Sequence, residues 1–178
     1  MKSFLKVFFS ILVIVIAGAL IAAAVMPKEV ALERSITINA PVSEVYDYAR
    51  MLKNQEDFSV WVMADPNIQL EYSGVDGTVG ATSSWTSEDK NVGVGEQEIT
   101  ALVENERIEV EVRFTEPMES VISAYNTFEE TEDGQTLVTD GFTSTTPWPM
   151  NLLCPIIKNM LGKQIDQNLA NMKANIEG

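Results

Sequence analysis

The stretch VGVGEQEITALVENERIEVEVRFTEP, residues 92–117, decides the fold. In its second half Ile108, Val110, Val112 and Phe114 alternate with Arg107, Glu109, Glu111 and Arg113. That period of two sends successive side chains to opposite faces of a strand. Gln97, Ile99, Ala101 and Val103 repeat the pattern in the first half. Strands that are apolar on one side and charged on the other belong to an antiparallel sheet with one dry and one wet face.

Outward from this pair the alternation continues. Residues 30–39, VALERSITIN, read as a first strand, and Asn39-Ala40-Pro41 stops it. Pro41 suits the first turn of a helix, and Val42, Val45, Ala49 and Leu52 then give one apolar face over about three turns. Residues 54–61 read as a short helix or turn. Ile68-Leu70-Tyr72 and Val79-Ala81-Ser83-Trp85 read as further strands, and residues 120–130 and 135–145 as a hairpin closed by Glu132-Asp133-Gly134.

Pro147, Pro149 and Pro155 precede the last segment, where Ile157, Leu161, Ile165, Leu169, Met172 and Ile176 recur at intervals of four, four, four, three and four. This spacing predicts a long amphipathic helix. A sheet of six or seven strands cannot bury its dry face alone, and this helix is the element of matching length. The expected class is α+β, a curved antiparallel sheet wrapped on the C-terminal helix. Wherever side chains leave room between the two, a ligand fits.

Residues 7–26, VFFSILVIVIAGALIAAAVM, are uncharged, and at ~1.5 Å per residue a helix of that length spans ~30 Å of hydrocarbon. Two readings stay open. The segment is a retained transmembrane anchor, or a signal sequence cleaved near Ala24, where Ala22 and Ala24 stand at a peptidase-like spacing. Lys2 and Lys6 precede the span while Lys28 and Arg34 follow it, a slight bias toward an extracytoplasmic domain. The expected division is residues 1–26 as anchor or signal and 27–178 as one ligand-binding domain.

Residues 27–178 carry 10 basic and 26 acidic side chains, a net charge of −16. That field repels nucleic acid. The chain holds no histidine and one cysteine, Cys154, which excludes an internal disulfide, Ser-His-Asp and Cys-His catalysis, and His-rich metal sites. No cofactor or metal is expected. Gly74, Gly77 and Gly80, with Gly93 and Gly95, sit at expected turns and bulges and lack the strand-to-helix setting of a phosphate loop. Glu88-Asp89 and Glu129-Glu130-Glu132-Asp133 fall on expected turns without a calcium-loop spacing.

The order strand, short helices, antiparallel strands, long last helix resembles the helix-grip fold of the START-like superfamily, also labelled SRPBCC or polyketide cyclase-like. ERSITINAPVSEVYDY resembles the family's opening strand and helix, YSGVDGTVGATSSWTS its next hairpin, residues 92–117 its central strands, and NLANMKANIE its closing helix. The resemblance covers most of residues 32–177. An N-terminal membrane segment resembles a bacterial subgroup of unassigned role. The family implies binding of lipids, sterols or polyketides, with catalysis in only some members. Where such proteins often place an aromatic, this chain has Val138-Thr139-Asp140-Gly141-Phe142.

By alternation with Val138 and Phe142, Asp140 faces inward, where desolvation raises a carboxyl pKa and suits it to donate a proton or hold a basic ligand. The plainer alternative is a hydrogen-bonded structural carboxyl. Gln97 is a neutral polar group on the same face. Tyr72, Trp85 and Trp61 are either core or ligand-facing rings, and Met160 stands off the helix stripe beside the expected mouth, near Met150, Leu152, Leu153 and Cys154.

Three functions follow as expectations. The first is a membrane-tethered, non-enzymatic module for a hydrophobic small molecule or lipid, using Trp61, Tyr72, Trp85, Gln97, Asp140 and Met160. The second is a cyclase or hydrolase with Asp140 as acid or base. The third is a cell-envelope interaction scaffold, which an exposed Trp148 would favour.

Overall fold

A computed structural model describes residues 2–178. Helix α1, Lys2–Val25, leads into strand β1, Glu29–Ile38. Helix α2, Val42–Ala49, starts behind the extended Pro41, and a 3-10 turn, Leu52–Asn54, brings in two single-turn helices, α3 (Gln55–Phe58) and α4 (Val60–Met63). Strands β2 (Gln69–Ser73), β3 (Thr82–Thr86), β4 (Val94–Val103), β5 (Arg107–Glu116), β6 (Ser120–Glu130) and β7 (Thr136–Thr145) follow. A second 3-10 turn, Met150–Leu153, precedes α5, Cys154–Glu177.

All seven strands join one antiparallel sheet in the order β1-β7-β6-β5-β4-β3-β2. Five of the six ladders join chain neighbours, which hairpins make easy, and in the sixth β1 pairs with β7 across most of the chain. Helix α5 packs along β1. Lys173 Nζ donates to the Thr37 carbonyl at 2.7 Å, and the Asn39 amide donates to Glu177 Oε1 at 2.6 Å.

The expected helix stripe faces the sheet. Ile165, Leu169 and Met172 are buried against Ile38, Val45, Phe128 and Val138, each burial contributing about 1.5–3 kcal/mol. Tyr46 of α2 meets Phe128 edge to face, with ring centroids 5.5 Å apart. A smaller cluster, Leu52, Ala81 and Ile99, lies under β2 to β4.

The sequence pattern misplaces a few positions. Ala101 and Val103 do not continue the inner face of Gln97 and Ile99. The ladder pairs Ile99 with Val110 and Ala101 with Glu109, so Thr100 is an extra residue in β4 and the faces exchange there. Leu102 takes the inward position, and Val103 is 47% exposed. Val79 lies before β3 in a turn, exposed, and Glu129 and Glu130 end β6 instead of lying in the turn.

A single polar flank of α5 positions α3 and α4. Asn168, Asn171 and Asn175 recur at helical spacing. Asn168 Oδ1 accepts from the Val60 amide at 2.8 Å, Asn171 Nδ2 donates to the Phe58 carbonyl at 3.0 Å, and Asn175 Nδ2 donates to the Asp57 carbonyl at 3.1 Å. The short helices cannot satisfy their own termini, so this ladder supplies the partners. It holds them beside α5, over the inner face of the sheet.

Candidate functional site

The register lines up the inner face in rows. Arg34, Asp140, Asn126 and Ile108 form one row across β1, β7, β6 and β5. Leu32, Phe142, Ala124, Val110 and Ile99 form the next. Beyond it come Val30, Ser144, Ile122, Val112, Gln97, Ser83 and Tyr72, and last Phe114, Gly95, Trp85 and Leu70.

Burial falls along these rows. Val138 and Phe128, next to the Asp140 row, are sealed under α5, whereas Val110, Val112, Ile122 and Ala124 are only half-buried. The reason is placement: α5 follows β1 at the sheet's edge, leaving the middle strands less covered. Val110, Val112, Ile122 and Ala124 thus form a less covered aliphatic stretch of the inner face, with Asp140 and Asn126 in the adjoining row. Trp61 and Leu161 pack against the core from the helical side.

Asp140 lies inward between the buried Val138 and Phe142, and retains some accessible surface. Desolvation by the surrounding apolar groups pushes its carboxyl up to about 7, against a weaker opposite pull from its cross-strand neighbour Asn126. Its other cross-strand neighbour, Arg34, turns elsewhere: Nε lies 3.3 Å from Asp166 on α5, in the space left by the missing side chain of Gly162.

Gln97 and Tyr72 lie toward the β2 edge of this face, each bonded to α3. Gln97 Nε2 donates to Gln55 Oε1 at 2.6 Å, and Gln55 Nε2 returns a bond at 3.3 Å. Tyr72 donates its hydroxyl to Glu56 Oε1 at 2.8 Å; desolvation first, then this bond, holds the phenol well above its ordinary range. Both side chains thereby tie α3 to the sheet. Trp85 packs edge to face with Phe114 at 5.4 Å and donates Nε1 to the Val92 carbonyl at 3.3 Å. Met160 stands apart from these groups, 54% exposed on the flank of α5.

Asn126 and Arg34 were missed by the sequence reading. Both were within its reach, since Asn126 alternates with Ala124 and Phe128, and Arg34 with Leu32 and Ile36. Two open concavities lie away from the space between sheet and α5: one of about 500 Å³ beside Val121, Ser123, Thr143 and Thr145, chiefly on the outer face, and one of about 550 Å³ against Leu5 and Phe9 of α1.

A strand, short helices, antiparallel strands and closing helix in this order match the family model described as polyketide cyclase / dehydrase and lipid transport over residues 29–177. The chain belongs to this family. As a polyketide cyclase and lipid transport family member, it is similar in structure to the protein of unknown function SA2116 from Staphylococcus aureus, at 15% identity, with a TM-score of 0.62, 84% of this chain and 94% of that one covered. The di-domain ARO/CYC StfQ from the steffimycin biosynthetic pathway aligns at 15% identity and a TM-score of 0.63, covering 84% of this chain and 51% of that one. Ara h 8.0201 aligns at 18% identity and 0.56, covering 83% and 97%. At these identities the likeness of this family member to each of the three is one of fold. The comparison with curated proteins found no match.

Proposed function

We propose that the chain is a membrane-tethered, non-enzymatic module, with residues 1–26 as anchor and 27–178 as the domain, that holds a hydrophobic small molecule or lipid between the sheet and α5. The observation that carries this reading is the half-buried aliphatic stretch of Val110, Val112, Ile122 and Ala124 on the middle strands, away from the edge that α5 follows. Apolar surface of this kind next to a few fixed polar groups suits a mostly apolar ligand with one polar end. Asp140 and Asn126 supply that end, Asp140 as a donor when protonated and Asn126 as donor or acceptor. Trp61, Tyr72, Trp85, Gln97 and Met160 border the proposed groove. Native mass spectrometry of the full chain, extracted gently from its source, tests the proposal. An apolar molecule co-purifying with the chain is the expected result, and the bare mass alone argues against it.

Helix α1 is exposed along nearly all of its length, and Phe4–Val25 is long and apolar enough to cross a membrane. This supports anchorage, and the slight basic bias of Lys2 and Lys6 before the span supports a domain outside the cytoplasm. Proteolysis of the domain in spheroplasts supports that orientation; full protection removes it.

One observation favours a second reading. A carboxyl poised near neutrality is suited to general acid or base chemistry, so a cyclase or hydrolase acting through Asp140 is the alternative. Asp140→Asn separates the two, because it abolishes turnover but leaves apolar binding nearly intact.

A further inference from the structure

The last turn of α1 leaves backbone carbonyls without partners inside the helix. The folded domain supplies them. Asn151, 0% exposed in the turn before α5, donates Nδ2 to the Ala23 carbonyl at 2.7 Å and to the Met26 carbonyl at 3.1 Å, and Trp148 donates Nε1 to the Leu20 carbonyl at 3.4 Å. The Thr146 amide donates to the Lys28 carbonyl at 2.7 Å just beyond. The chain segment that leads into α5 thus clasps the C-terminal end of the apolar helix.

Around this clasp the surface is apolar. Trp148 is 49% exposed, Met150 and Leu153 are exposed, and Ile156 is 67% exposed. Leu153, Ile156 and Met160, three and four residues apart, share one face at the start of α5. Residues 141–165 contain no acidic side chain in a chain that carries 26 of them, and hold Lys158 and Lys163, both exposed. By register the start of β1, the end of β7 and the start of β6 lie at this same end of the sheet, so the half-buried Val112 and Ile122 lie toward it. An indole, bare aliphatics and lysines, without carboxylates and fastened to the end of an apolar span, have the composition of a bilayer interface.

We infer that residues 148–160 seat on the bilayer surface next to α1, and that the groove exchanges its ligand directly with that leaflet. The seating stands on the clasp and the exposed face; the exchange rests on the ligand reading above. It also requires α1 to be retained, since cleavage near Ala24 would strip the buried Asn151 of its Ala23 partner.

The test uses the full chain, with Cys154→Ser as background, in vesicles of phosphatidylcholine and phosphatidylglycerol at 3:1. Nitroxide labels go on Ile156→Cys, Met160→Cys and, at the far end of the sheet, Glu132→Cys. The expected result is collision with oxygen exceeding that with a nickel chelate several-fold at 156 and 160, and the reverse at 132. Labels at 156 and 160 that are as open to nickel as the one at 132 overturn the seating. Shielding from both reagents also overturns it, because a protein partner or a second copy then covers the face. Native mass spectrometry of the labelled chain released from detergent reads the ligand separately. A bound lipid with water-exposed labels removes the seating alone, and immersed labels with an empty groove keep the seating and remove the exchange.

Discussion

Gln97 on β4 and Gln55 on α3 exchange side-chain amides, each donating to the other, the shorter bond at 2.6 Å. Two residues 42 apart in the chain thereby fix the distance between the sheet and its short-helix cover. Gln97→Leu is expected to destabilise the chain by about 1–2 kcal/mol, because Gln55 loses both partners in a half-buried place. Gln55→Ala should cost a similar amount, and the double variant less than the sum of the two. Urea titrations of the detergent-solubilised full chain measure all three, and strict additivity would show that the pair does not couple the elements.

Asp140 gives the fold a pH dependence of defined sign. Its folded value, about 7, stands above the ordinary 3.8, so between those limits the folded chain binds the additional proton. Its contribution to stability therefore declines as pH rises through this window and levels off above about 7. Asp140→Asn lacks that decline. Relative to the parent chain, the variant should gain about 1–3 kcal/mol between pH 5 and pH 8, other titrations cancelling in the difference. A gap that does not change with pH would place the carboxyl near its ordinary value.

Gly95 admits no side chain. A Cβ there would lie 2.5 Å from Cζ2 of Trp85 and 2.6 Å from the Arg113 carbonyl, the second contact being backbone that cannot turn aside. Gly95→Ala is expected to lose about 2–3 kcal/mol and to displace the Trp85 ring from Phe114. Denaturation midpoints report the first effect and the indole emission maximum the second.

Asn168 is buried, with its oxygen on the Val60 amide at 2.8 Å. Asn168→Ala strands that amide, at a cost of about 1–3 kcal/mol. Hydrogen exchange should quicken in residues 55–63 before it does in β6 or β7. Uniform quickening over the whole domain would mean that the ladder has no local role.

The fold was legible in the sequence because each strand has one dry face, and the closing helix one dry stripe. Arg107 to Phe114 and Ile165 to Met172 carry their burial in their spacing. The bulge at Thr100 was not legible, since an extra residue in a ladder shows only once its partner Glu109 is known. Gln97 and Tyr72 were found as inward polar groups, but their bonds to Gln55 and Glu56 depend on where a four-residue helix docks. Trp148 was singled out as a residue whose exposure would favour an interaction surface, and it is half exposed. Its bond to Leu20 joins residues 128 apart and left no local trace.

The pairing of β1 with β7 alone sets an order of assembly. The first strand to follow the apolar helix is an edge whose sole neighbour ends at Thr145, so a nascent chain carries it unpaired until most of the polypeptide has been made. Through that interval its backbone donors and acceptors are open to any other strand within reach. The sheet closes only when its own last strand arrives.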